Sequence, residues 1–117
     1  MVLAIAFLIV LAQPPIRLSL DKRVCLVPCA VQATVTIPAH DDNREASLWW
    51  DGGSSEWTLS ATTSPQRYIT LSFTDTGTFT VYAVLLRRDR QGKRTTFEDS
   101  LSIIVEGRWH CSSVGRP

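Results

Sequence analysis

From Ile16 to Val105 the apolar residues of this chain recur at every second position, and that beat restricts its folding more than any other feature. Ile16, Leu18 and Leu20 share one parity. Val31, Ala33, Val35 and Ile37 repeat it and stop at Pro38. Leu48 and Trp50 alternate with Trp49, and Ile69, Leu71 and Phe73 follow. Phe79, Val81, Ala83 and Leu85 alternate with Thr80, Tyr82, Val84 and Leu86, and Leu101, Ile103 and Val105 close the series. Successive side chains of a strand point to opposite faces, whereas a helix needs spacings of three and four. Turn chemistry separates the runs: His-Asp-Asp-Asn at 40–43, Asp-Gly-Gly-Ser-Ser at 51–55, Thr-Ser-Pro at 63–65, Asp-Thr-Gly at 75–77 and Arg-Gln-Gly-Lys at 90–93. Strands of this length and turn spacing predict an all-β, antiparallel two-sheet sandwich of about seven strands. It is expected over residues 16–106, with 107–117 as a C-terminal tail.

A chain of 117 residues is one domain's worth. Twelve basic residues stand against eleven acidic ones, so no global field draws the chain to nucleic acid or anionic lipid. Residues 1–12, Met-Val-Leu-Ala-Ile-Ala-Phe-Leu-Ile-Val-Leu-Ala, are apolar throughout. As a helix they reach about 17 Å, short of a ~30 Å hydrocarbon core. Val10 and Ala12 sit three and one before Gln13, the spacing a signal peptidase accepts, and Pro14-Pro15 block a continuing helix. The segment reads as a signal peptide, and the expected location is secreted, periplasmic or at the cell surface. No Lys or Arg precedes Arg17. A buried apolar segment, an uncleaved membrane anchor and a fragment of a larger secreted protein therefore stand as alternatives.

Three cysteines suit an exported chain with one disulfide and one remaining thiol. An extended Cys25–Cys29 pair lies about 13 Å apart, out of reach unless Pro28 folds the strand back. Cys29–Cys111 is the favoured pair if the first strand lies beside the last. Three unpaired thiols are the alternative. Cys-x3-Cys and His110-Cys111 do not make a familiar zinc spacing, and no metal or other cofactor is expected.

Trp50-Asp51 within "WWDGGSSEW", and Gly77-Thr78-Phe79-Thr80-Val81 before a turn and a Ser/Thr-rich last strand, resemble PKD-type and related bacterial immunoglobulin-like domains. The likeness spans residues 24–106 and speaks to fold rather than function. Gly52-Gly53-Ser54-Ser55 replaces the family's tight Gly-Asp-Gly. Phe79 stands at the corner position without a tyrosine hydroxyl, so packing alone must hold that corner.

On this pattern Trp50 points inward as the central core indole, and alternation expels Trp49 to the outer face. An immunoglobulin-like sheet order sets the penultimate strand beside it and the last strand beyond. The outward residues then form an apolar patch, Trp49–Tyr82–Val84–Ile104. Such a patch marks an interface with an unidentified protein or neighbouring domain, unless the segment carrying Trp57 or the N-terminus covers it. Glycan stacking on Trp49 or Trp57, with Glu56 alongside, is the second functional reading.

Arg87, Arg88, Arg90, Lys93 and Arg94 concentrate cations at one hairpin tip, either a solvated turn or an anion contact. The run lacks the interleaved aromatic that single-stranded nucleic acid would stack on. His40-Asp41-Asp42-Asn43 reads as a polar turn, without the oxygen count of a calcium site. Catalytic constellations are missing from the pattern: there is no Gly-x-Ser-x-Gly elbow, no His-Glu-x-x-His and no phosphate loop. The chain is expected to be a non-catalytic binding or structural module of an envelope or secreted assembly.

Overall fold

A computed structural model describes residues 14–60 and 62–107. Eight strands follow one another: β1 (Arg17–Leu20), β2 (Val24–Leu26), β3 (Cys29–Thr36), β4 (Asn43–Trp50), β5 (Gly53–Thr58), β6 (Gln66–Phe73), β7 (Gly77–Arg88) and β8 (Arg94–Glu106). They form a three-stranded sheet, β1-β3-β6, and a five-stranded sheet, β2-β8-β7-β4-β5. Only β2 runs parallel to its neighbour, β8. This is an immunoglobulin-like sandwich, and the described residues contain no helix.

The period of two builds the core directly. Leu18, Val31, Val35 and Leu71 face Leu48, Val81, Leu85 and Ile103 across the gap, each buried. Ala33, Ala46 and Ala83 lie among them and let the two backbones approach. Phe73 and Phe79 stack at the corner with centroids 5.4 Å apart, which supplies the packing a tyrosine hydroxyl would have supplemented.

Two strands lie where the alternation shows none. β2 is only three residues long, too short for a period to register. β5 occupies much of the stretch expected to be turn. The turn itself is Asp51-Gly52, with Gly52 at φ 105°, and pairing resumes at once with Trp50 opposite Gly53. A Cβ on Gly53 would stand 2.7 Å from the Trp50 ring, so the indole lies over that glycine.

Trp50 is therefore not the central core indole. It points inward as expected but sits at the rim, half-buried, one residue past the last β4–β7 pair. Leu48, fully enclosed, holds the central place.

The expected Cys29–Cys111 disulfide is also corrected: the Cys29 sulfur is bonded to Cys25. The chain turns at Val27-Pro28, a cis peptide, as it crosses from one sheet to the other, and the two Cα atoms come to 6.1 Å. Cys111, the 1–12 segment and most of the expected tail lie outside the described residues.

Two polar side chains tie the frame together. Asn43, buried, donates to the Pro38 carbonyl at 3.0 Å and accepts from the Arg87 Nε at 2.9 Å. Asp99 of β8 accepts from the Leu18 backbone N–H at 2.7 Å, joining the two sheets.

Candidate docking face

Register sets the outer face of the five-stranded sheet as a series of cross-strand rows. Thr58, Glu45, Leu86 and Thr96 form one row; Glu56, Ser47, Val84 and Glu98 the next; Ser54, Trp49, Tyr82 and Ser100 the third. Trp49 and Tyr82 are direct partners, 46% and 42% exposed in the middle of the sheet. The Trp49 Nε1–H donates to the Ser47 hydroxyl at 2.9 Å, which lays the indole back along its own strand. Val84 and Leu86 are half-buried, and with Glu45, Ser47, Glu56 and Thr58 they line an open hollow of about 330 Å³ over β4.

The segment carrying Trp57 does not cover this face. It extends the sheet edge as β5, and Trp49 and Tyr82 stay open to solvent.

Ile104 does not belong with Trp49, Tyr82 and Val84. It pairs with Thr78, and the Thr80–Ser102 row separates it from Tyr82 and Ser100. Four residues of strand amount to about 13 Å. Ile104 instead joins exposed Val24 and Leu26 of β2 in a second, smaller apolar patch.

Trp57 and Glu56 are neighbours on β5 and so face opposite ways. Glu56 points outward with Ser47, while Trp57 pairs with buried Ala46 and packs against the core. The Arg67 guanidinium, from the edge of the other sheet, sits 5.0 Å from the Trp57 ring centroid. The two residues do not form one glycan platform.

The five cations of the hairpin also divide. Arg87 turns inward, bonded to Asn43 and 5.0 Å from the Phe97 ring centroid, so it leaves the cluster. Arg88 and Arg94 are direct cross-strand partners on the outer face, with Arg90 and Lys93 exposed in the turn beyond. Asp89 shapes that turn: its carboxylate accepts from the Lys93 N–H at 2.8 Å and its carbonyl from Gly92 at 3.0 Å. In the other turn, His40 Nδ1 accepts from the Asp42 N–H at 3.0 Å. Among the described residues no group of three His, Cys, Asp or Glu side chains is gathered as a metal site would require.

Sequence reasoning placed Asn43 only within a polar turn and did not name Asp99. Both are short polar residues in strands or turns rich in such residues, and only the packing of Arg87 and of β1 gives them their roles. The acidic character of the hollow was legible only after β5 had been paired with β4.

No family model matches the chain, and no curated protein matches it. Among solved structures, the chain is similar to the CARDB domain of the PF1109 protein from Pyrococcus furiosus, a structure in complex with di-metal ions. The identity is 14% and the TM-score 0.46, over 77% of this chain and 89% of that one.

Proposed function

We propose that the chain is a non-catalytic immunoglobulin-like module that docks a protein partner through the outer face of its five-stranded sheet. The observation that carries this reading is the Trp49–Tyr82 pair: two large aromatics, directly opposed and nearly half exposed, in the centre of a sheet face. Aromatics with apolar bodies and polar tips are favoured at interface centres because they bury much area at little entropic cost. The module is proposed to work outside the cytoplasm, in keeping with the Cys25–Cys29 disulfide and the apolar 1–12 segment. The finer kinship in this reading is with the PKD-type and related bacterial domains, which the sequence likeness at Trp50-Asp51 and Gly77–Val81 supports. The glycan reading is weaker, because Trp57 faces inward and Trp49 alone remains as a stacking surface.

A photo-crosslinking residue at position 49, compared with one at exposed Thr70 on the opposite sheet, tests this in the living host. Light-dependent adducts to a defined protein from position 49 but not from position 70 are expected. Equal yields from both positions, or none from 49, overturn the reading.

A further inference from the structure

Acidic and aromatic residues take set places on this face. Glu56 and Glu98 close the two ends of one cross-strand row, with Ser47 and Val84 between them. Three strand spacings separate the two glutamates, about 14 Å. Trp49 and Tyr82 border that row on one side, and the Trp49 indole leans toward it through its bond to Ser47. On the other side Leu86 lies beside Glu45, and the hollow of about 330 Å³ opens between Glu45 and Glu56. None of these three rows contains a lysine or arginine. The cations begin one row further, at Arg88 and Arg94 on β7 and β8 alone. Arg94 stands four strand residues from Glu98, about 13 Å.

We infer that the partner docked here is a protein whose surface presents two cationic side chains, about 14 Å apart, on either side of an apolar one. The inference rests on the docking reading above and specifies that partner's chemistry. Charge complementarity selects it. One cation meets Glu98 and the other enters the hollow at Glu56 and Glu45, while the apolar side chain covers Val84 beside Trp49 and Tyr82. Lysine and arginine suit such a row because their aliphatic stems lie on apolar surface while the charged head reaches a carboxylate. The two aromatic rings add attraction for the same cations. An extended segment supplies the spacing from its positions i and i+4, about 13 Å apart, with the apolar residue at i+2 on the same side. Arg88 and Arg94 repel cations from the hairpin end, so the segment settles on the Glu56–Glu98 row. Exposed charge pairs are individually weak and screened, and raising salt weakens the association.

Two measurements test this chemistry. In the living host, adducts from the photo-crosslinking residue at position 49 are compared in the parent chain, in the paired variant Glu56→Gln with Glu98→Gln, and in Arg94→Gln. All three substituted positions are exposed on strands, and melting curves check that each variant folds. The paired variant is expected to lose the protein adduct by more than about tenfold, and Arg94→Gln to keep or raise it. In solution, the peptide Lys-Ser-Val-Ser-Lys is titrated into the isotope-labelled chain and followed by NMR, with Glu-Ser-Val-Ser-Glu as control. The lysine peptide is expected to shift the Trp49 indole N–H and the Val84 and Glu98 amides at millimolar concentration, and the glutamate peptide to leave them in place. Adducts indifferent to the paired substitution, adducts only between copies of the chain, or an equal response to both peptides, including none, overturns the proposal. Adducts with a second protein that ignore the substitutions leave the docking reading intact, whereas no adduct from position 49 in the parent chain removes both.

Discussion

The indole N–H of Trp49 donates to the hydroxyl of Ser47, two residues back on the same outward row, at 2.9 Å. The bond occupies the one polar atom of the indole from within the strand and leaves the ring as apolar surface beside Tyr82. Nothing in the sandwich interior depends on that ring. Trp49→Ser is therefore expected to leave stability within about 0.5 kcal/mol of wild type, while removing most of the association measured by crosslinking or gel filtration. Loss of the fold alongside loss of association would show that the indole supports the sheet rather than a partner.

Asn43 is the only buried polar residue of the described chain, and both ends of its amide are engaged. Asn43→Ala leaves the Pro38 carbonyl without its donor and Arg87 without its acceptor, a loss of about 2 kcal/mol. Urea denaturation checks it. Asn43→Asp keeps the acceptor for Arg87 and is expected to lose less.

Trypsin cuts after Arg23 and Arg44, so both bonded cysteines fall within one peptide, residues 24–44. Without reduction that peptide is expected to resist alkylation and to weigh less than its reduced form by the two thiol hydrogens. A peptide linking Cys29 to Cys111 would contradict the structure. Closing so short a loop restricts the unfolded chain modestly, and reduction is expected to lower stability by about 2 kcal/mol in the chain-entropy account.

The depth difference between Leu48 and Trp50 has a measurable consequence. Leu48 is fully enclosed between the sheets, and Leu48→Ala is expected to cost about 3 kcal/mol through lost burial and the cavity left behind. Trp50→Leu removes more atoms at the rim, where solvent and Gly53 adjoin the ring, and is expected to cost clearly less. Thermal melts of the two variants, with the order reversed, would restore Trp50 to the core centre.

Six of the eight strands follow from alternation, since β1, β3, β4, β6, β7 and β8 each carry enough alternating residues to fix a period and a buried face. Trp49 was placed outward and Trp50 inward by the same parity. The two strands missed were illegible for separate reasons. Val24–Leu26 is too brief, and Gly53–Ser55 has turn composition that becomes strand only because a two-residue hairpin returns it onto β4. Ile104 and Arg87 were misassigned for one shared reason. Parity states which face a residue takes but not how far along the sheet it lies or what its long side chain reaches.

The amino-acid order alone determined the sandwich, the sidedness of each strand and the exposure of Trp49, because those depend on local backbone geometry and the tendency of apolar side chains to leave water. Only the assembled sheets decided that Cys29 meets Cys25, that Trp57 lies beneath Arg67, and that arginines and glutamates occupy successive zones of one face. Those relations join residues remote in the chain or hinge on where it bends, and cross-strand register and sheet order fix them at distances no periodicity encodes.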